Sequence, residues 1–198
     1  MPAEIHSQKK QLRLSIRRQR LKLTSEQHQQ YSSQIFNRIV AEKSLLNCKN
    51  IAIFLSQDGE PCTQPIIDYC WQLGIHTFVP VIALDHSNKM TFMEYHKHAT
   101  LHRNRFGIPE PLSEKSILEE NIKLDIIFMP LVAFSEEGAR LGMGGGYYDR
   151  FLESYIKTNP DLKLMGLAYE FQKRDKLPTE SWDMGLSGVV TEEQFYLF

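Results

Sequence analysis

Several features that define common protein classes are missing from this sequence. No apolar run reaches the roughly 18 residues that a membrane-spanning helix needs, and the polar, basic N-terminus lacks the apolar centre of a signal peptide. Cys48, Cys62 and Cys70 show no CxxC spacing, which indicates free thiols and no zinc site. The seven histidines show no HExxH spacing, and the net charge is only −1. We therefore expect a cytoplasmic protein that acts on neither a membrane nor nucleic acid.

The 198 residues are enough for one domain (1–198) with a sizeable core. Short apolar runs predict strands at IAIFLS (51–56), HTFVPVI (76–82), MTFMEY (90–95), LDIIFMPLVAF (124–134), LKLMGLAY (162–169) and SGVVT (187–191). Between them, a capping box at Thr24 and Gln27 opens a helix with Tyr31, Ile35 and Ile39 on one face. TQPIIDYCWQLG (63–74) and the segment from about Tyr147 are further helices. This alternation predicts an α/β fold with an open, mostly parallel sheet flanked by helices.

The first 22 residues carry most of the local positive charge. The basic residues are Lys9, Lys10, Arg13, Arg17, Arg18, Arg20 and Lys22. Leu12 and Ile16 lie four apart, so one helical face can dock on the protein body. For most of the charges we expect a solvated helix face, while contact of this helix with RNA remains an open alternative.

The segment RLGMGGGYYDR (140–150) is the strongest indication of a binding site. It is expected to follow the long apolar strand and to open a helix, where backbone N–H groups and the helix N-terminus attract phosphate. Arg140 can bind phosphoryl oxygens in a bidentate manner, and Asp149 can hold Mg²⁺. The segment matches neither the P-loop nor the Rossmann spacing. A tight surface turn is the alternative interpretation.

The segment ARLGMGGGYYDRFL (139–152) resembles the signature of the 5-formyltetrahydrofolate cyclo-ligase family, also called 5,10-methenyltetrahydrofolate synthetases. Weaker resemblances occur in the family's order. They are KKQLR (9–13), FLSQDGEPCT (54–63), FGIPEP (106–111), PLVAF (130–134) and WDMGLSGVVTE (182–192). The resemblance implies a fold similar to the sugar-phosphate isomerase and coenzyme A transferase folds. It also implies ATP-dependent closure of 5-formyltetrahydrofolate to 5,10-methenyltetrahydrofolate, with Mg²⁺ as cofactor and release of ADP and phosphate.

The same resemblance assigns roles residue by residue. Implied to bind ATP are Lys9, Arg13, Arg140, Leu141, Gly142, Met143, Gly144, Gly145, Gly146, Tyr147 and Tyr148. Implied to bind the folate are Arg13, Leu55, Glu60, Met143 and Tyr147. Arg140 and Tyr147 are the implied catalytic residues, and Asp149 and Asp183 the implied metal ligands. A carboxylate such as Glu60 suits a pterin, because the pterin's amino and ring N–H groups can donate a pair of hydrogen bonds.

Two positions depart from the family's pattern. Some members place a lysine where this chain has Gly145, and others a basic residue where it has Met143. We therefore expect phosphate binding to depend more on backbone N–H groups, Arg140, Lys9 and Mg²⁺. No long apolar seam is visible, so we expect a monomer whose partners are small molecules. A sugar-phosphate enzyme of related fold and a non-catalytic nucleotide- or RNA-binding module remain the alternatives.

Overall fold

The protein is built around one large twisted sheet with helices on both faces. The computed structural model describes residues 2–83, 89–112, 116–118, 120–180 and 183–198. The helices are α1 (Pro2–Arg20), α2 (Ser25–Ala41), α3 (Gln64–Gln72) and α4 (Tyr147–Thr158), with a 3-10 turn at Glu170–Gln172. The first six strands are β1 (Asn50–Ile53), β2 (His76–Ile82), β3 (Met90–Glu94), β4 (Leu101–Arg103), β5 (Pro109–Pro111) and β6 (Ile126–Pro130). The others are β7 (Ala133–Ser135), β8 (Arg140–Leu141), β9 (Lys163–Leu167), β10 (Lys173–Arg174), β11 (Gly188–Val190) and β12 (Phe195–Leu197).

The main sheet has the strand order β12-β11-β9-β6-β1-β2-β3. Its five inner strands, from β11 to β2, are parallel, and β12 and β3 pair antiparallel at the two edges. The remaining strands form a small sheet, β10-β7-β8, and the pair β4-β5. The predicted open, mostly parallel sheet is therefore confirmed, with two antiparallel edges.

Alternating side chains of β6 divide the core into two layers. Ile126 and Phe128 belong to the cluster that packs under α2 and α3, while Ile127 and Met129 belong to the cluster under α4. Because both faces of the strand are covered by helices, it has the continuous apolar composition that the sequence shows. In the described residues, no helix is both long enough and apolar enough to cross a bilayer.

Local signals set the helix boundaries. The Thr24 side chain accepts from the Gln27 N–H, and Gln27 caps the Thr24 N–H in return, as predicted. Helix α3 ends before Gly74, whose φ of +72° belongs to the left-handed region that glycine tolerates best. On α2, Ile35 and Ile39 are buried, so the predicted apolar face is also correct.

The prediction of one long strand over residues 124–134 is wrong. The chain leaves the main sheet after Pro130 and enters the small sheet at Ala133, so the segment forms β6 and β7. Leu131 and Val132 lie between them and are nevertheless buried. An apolar run cannot show this change of sheet, because burial in either sheet requires the same apolar residues.

Candidate active site

The glycine loop, residues 142–146, connects β8 to α4. Strand β8 forms an antiparallel hairpin with β7, so the loop follows the small sheet. The sequence had suggested instead that the loop follows a parallel strand of the main sheet. Gly146, with φ of +64°, precedes α4 and provides no side-chain cap for it. The first N–H groups of α4 therefore face the loop without a capping side chain, an arrangement that favours an anion at this end of the helix.

Arg13 on α1 reaches the glycine loop from the other end of the chain. Its Nε donates to the Gly142 carbonyl oxygen at 2.8 Å. A Cβ on Gly144 would lie 3.2 Å from the Arg13 Cζ, so the guanidinium lies directly against this glycine. Burial lowers the pKa of Arg13, and the nearby Asp183 carboxylate opposes that effect. The predicted residues Arg13, Gly142 and Gly144 thus form one surface.

Lys9 lies one helical turn before Arg13 and is buried. Its Nζ lies 3.0 Å from Glu180 Oε2 and 3.3 Å from Asp183 Oδ2. Asp183 Oδ2 also accepts from the Glu180 backbone N–H at 2.9 Å. The predicted phosphate-binding lysine and the predicted second metal ligand are therefore partners in this structure. Trp182, quoted in the same sequence motif, lies outside the described residues.

Arg140 and Asp149 form an ion pair across the start of α4. Arg140 Nη2 donates to Asp149 Oδ1, and the Arg140 side chain is only 5% exposed. The buried Arg140 Nε has no hydrogen-bond partner among the described residues. A partly accessible carboxylate beside a glycine loop fits Mg²⁺, which usually binds one or two carboxylates together with substrate phosphates. The described residues contain no group of three or more His, Cys, Asp or Glu side chains placed to hold a metal.

An aromatic and cationic rim lies over one side of the glycine loop. Phe106 contacts the Tyr147 ring edge to face, with centroids 6.3 Å apart. Arg105 Nη2 donates to the Tyr147 hydroxyl at 3.2 Å, and the Arg150 guanidinium lies 5.3 Å from the Tyr147 ring centroid. Phe106 is 56% exposed. The predicted catalytic residue Tyr147 thus belongs to a cluster of two aromatic rings and two guanidinium groups, which suits an aromatic ligand.

Tyr148, which follows the glycine loop, lies near Glu60, the residue predicted to bind the folate. Its hydroxyl is buried and has no hydrogen-bond partner among the described residues. Burial raises its pKa, the Glu60 carboxylate raises it further, and Arg140 lowers it. Tyr148 therefore lies within electrostatic range of both Glu60 and Arg140. Its ring packs edge to face on Phe92, with centroids 6.1 Å apart.

The remaining predicted residues divide by exposure. Leu141 is buried, so only its backbone is available to a ligand. Leu55 is half-buried against the core cluster under α2 and α3. Met143 is 52% exposed at the open side of the loop. A Cβ on Gly145 would lie 2.8 Å from two Tyr147 ring atoms, so any side chain there would require this ring to move.

Sequence reasoning missed three charged residues at this site, namely Arg20, Asp58 and Glu180. Arg20 was assigned to the solvated face of α1, but it is only 2% exposed and pairs with Asp58. Its position four residues after Ile16 was a usable signal, since residues at that spacing share a helix face. Nothing in the local sequence marked Glu180 as the partner of Lys9.

The fold and the site together define a class of protein. It is an α/β protein whose glycine loop opens a helix beside buried arginine and lysine side chains, an arrangement suited to phosphate groups. Residues 5–192 match the model of the 5-formyltetrahydrofolate cyclo-ligase family, and the chain belongs to that family.

Individual relatives agree with this assignment. The chain is 39% identical over 184 residues to the 5-formyltetrahydrofolate cyclo-ligase of Escherichia coli (strain K12), covering 91% of this chain and 98% of that protein. The Haemophilus influenzae relative of the same name is 37% identical, with coverages of 92% and 96%. The NMR structure of Aquifex aeolicus 5,10-methenyltetrahydrofolate synthetase is 28% identical, has a TM-score of 0.80, and covers 96% of this chain and 92% of its own. These matches do not favour the sugar-phosphate or RNA-binding alternatives.

Proposed function

We propose that the protein converts 5-formyltetrahydrofolate to 5,10-methenyltetrahydrofolate with cleavage of ATP to ADP and phosphate. The observation that carries this proposal is the 2.8 Å hydrogen bond between Arg13 Nε and the Gly142 carbonyl. It joins the opening helix and the glycine loop, the two segments to which we assign ATP binding, although they lie 129 residues apart in sequence. A flexible surface turn would not hold the half-buried guanidinium of another helix against its backbone.

The chemistry requires activation of an amide oxygen. In the first step the formyl oxygen attacks the γ-phosphorus, the P–O bond to ADP breaks, and the formyl carbon becomes an iminium-like phosphate. N10 then attacks that carbon, the C–O bond breaks, and phosphate leaves while N10 loses its proton. The protein must chiefly align the formyl oxygen with the γ-phosphorus and offset negative charge.

The described residues suit that task. Lys9, Arg13 and Arg140 supply positive charge around the glycine loop, and the N–H groups of residues 142–148 supply donors. Tyr147 would contact the folate beside Phe106, and Glu60 would accept the pterin N–H groups. Asp149 fits the role of carboxylate ligand to Mg²⁺, whose contribution would be to neutralise phosphate charge. Asp183 remains the predicted second ligand, and in this structure it binds Lys9.

We further propose that the chain acts as one cytoplasmic domain and as a monomer on small molecules, without nucleic acid or a membrane. Lys9 binds Glu180 and Asp183, and Arg13 binds Gly142, so residues of the same chain complete these contacts. Size-exclusion chromatography with light scattering tests the monomer. A stable dimer that dissociates together with loss of activity would contradict it.

An absorbance assay tests the reaction. The purified protein is mixed with 5-formyltetrahydrofolate and Mg-ATP, and the near-ultraviolet band of the conjugated methenyl cation is followed. We expect the band to grow only when ATP, Mg²⁺ and the folate are all present. Arg13→Met should lower the rate strongly, while Arg18→Met, on the exposed side of the same helix, should not. No band with the wild-type protein would overturn the proposed function.

A further inference from the structure

Arg20 is a buried cation at the C-terminal end of α1. Its side chain is only 1% exposed, although it belongs to a run of otherwise more accessible basic residues. A buried guanidinium is costly unless charged or polar partners surround it. The partners of Arg20 therefore indicate what the charge is for.

The Arg20 guanidinium lies between two carboxylates of one turn. Its Nη2 donates to Asp58 Oδ2 at 2.9 Å, and its Nη1 lies 3.7 Å from Glu60 Oε1. Nη1 also points at the carbonyl oxygen of Leu131, 3.5 Å away, where the chain passes from β6 to β7. Arg20 thus connects the Glu60 turn to the break between the two sheets.

The turn is shaped around this arginine. Asp58 and Gly59 have φ of +52° and +70°, and a Cβ on Gly59 would lie 3.4 Å from the Arg20 backbone. Glu60 Oε2 accepts from the Gln57 N–H at 3.0 Å. One oxygen of the Glu60 carboxylate is therefore held by the turn itself, and the other faces Arg20.

We propose that Arg20 is a positioning residue, which keeps the Glu60 carboxylate ionised and oriented so that it accepts the paired N–H groups of a pterin ring. This inference rests on the proposed function, because the pterin is the ligand it names. Arg20 does not touch the substrate in this scheme. Its effect passes entirely through Glu60.

The electrostatics of the turn make this support necessary. Burial raises the pKa of Glu60 to about 7, and the positive charge of Arg20 is the largest opposing influence. The other charged or titratable groups that face Glu60 are Arg17 on α1, His28 on α2, Asp58 in the turn and Tyr148 on α4. Without Arg20 the pKa would rise further, so the carboxyl would be protonated at neutral pH. A protonated carboxyl replaces one acceptor by an O–H donor and no longer matches two pterin N–H groups.

The test compares Arg20→Met with Arg18→Met, an exposed arginine on the same helix. The initial rate is measured against folate and ATP separately, from acid to alkaline pH. For Arg20→Met we expect the acid limb of kcat/KM for folate to move up by about one pH unit. The folate KM should then rise about fivefold at pH 7, because a pKa that moves from about 7 to about 8 lowers the ionised fraction of Glu60 from about one half to about one tenth. The ATP KM should stay within about twofold of wild type. Arg18→Met should change none of these quantities.

A structural role would give a different result. If Arg20 only stabilises the fold, the KM values for folate and ATP rise together and the acid limb stays in place, which would overturn the inference. In a Glu60→Gln background, Arg20→Met should add little to the folate KM, since no carboxylate remains to ionise. An undiminished effect in that background would equally overturn it. If Arg20→Met does not fold, Arg20→Lys is measured in its place, because lysine keeps the positive charge but lacks the two guanidinium nitrogens that contact Asp58 and Glu60. On the inference, Arg20→Lys must raise the folate KM more than the ATP KM.

A measurement without ligand separates this inference from the proposed function. If the wild-type protein does not turn over the folate, the proposed function fails, and the Glu60 carboxyl can still be titrated by carbon NMR. We expect its midpoint to be higher in Arg20→Met than in Arg18→Met. An unchanged midpoint would overturn the inference on Arg20 whatever the substrate is.

Discussion

Substitution of Gly144 by alanine tests whether the glycine loop and α1 form one phosphate-binding surface. Gly144 has φ of +94°, and its absent Cβ leaves room for the Arg13 guanidinium, whose Cζ and Nη2 would lie 3.2 and 3.3 Å from an added methyl group. These distances are shorter than ordinary van der Waals contact, which begins at 3.4 Å. The Arg13 guanidinium must therefore shift by a few tenths of an ångström to admit the methyl group, which disturbs its hydrogen bond to the Gly142 carbonyl.

Two effects of Gly144→Ala can be separated by the quantity that each one changes, which is Tm for the first and kcat/KM for ATP for the second. A side chain in left-handed backbone costs about 1–2 kcal/mol, which lowers Tm by about 2–8 °C for a chain of this size. The shift of Arg13 disturbs a charge-assisted contact worth about 1.5–3 kcal/mol. If that contact serves ATP, kcat/KM for ATP should fall at least about tenfold.

Gly74→Ala is the matched control for this prediction. Gly74 has φ of +72°, follows α3, and has no atom within 4 Å of an added Cβ. It should show a similar loss of Tm with an unchanged kcat/KM for ATP. The assay is the growth of the methenyl band at varied ATP, with Tm from differential scanning calorimetry. Equal kcat/KM values for the two variants would refute the argument that Arg13 and the glycine loop act together.

Three further predictions follow from buried groups. Asp149→Asn should lower Mg-ATP turnover at least about tenfold and also lower Tm, because Arg140, 5% exposed, loses its charged partner. Lys9→Met should raise the ATP KM, while Lys10→Met on the exposed side of α1 should not. Cys70, whose pKa burial raises to about 12, should resist iodoacetamide at pH 8 until the protein is unfolded, because its thiolate is present at only about one part in 10⁴.

Each of these predictions has a contrary outcome. Full activity of Asp149→Asn at saturating Mg²⁺ would show that this carboxylate is not needed for the metal. An equal ATP KM in the Lys9 and Lys10 variants would show that Lys9 serves only its ion pairs with Glu180 and Asp183. Rapid labelling of native Cys70, located by peptide mass mapping, would show that the core around it opens readily.

The sequence by itself determined the elements whose signals are local. The capping box at Thr24, the glycine after α3 and the start of α4 at Tyr147 all depend on residues within a few positions of one another. The glycine loop was recognisable for the same reason, since its composition is unusual over a short stretch. The apolar runs likewise predicted strands, although they could not show that residues 124–134 divide between two sheets.

Tertiary structure alone decided which charges meet. Arg13 reaches Gly142, and Lys9 reaches Asp183, across 129 and 174 positions of sequence. A run of basic residues does not show in the sequence which members are solvated and which are buried, because the carboxylates that pair with the buried ones lie elsewhere in the chain. The burial of Arg20 is the clearest case: its partners lie in a turn that only the folded sheet brings against α1. Local sequence determines which segments form helices and strands, whereas the pairing of distant charges depends on how those segments pack.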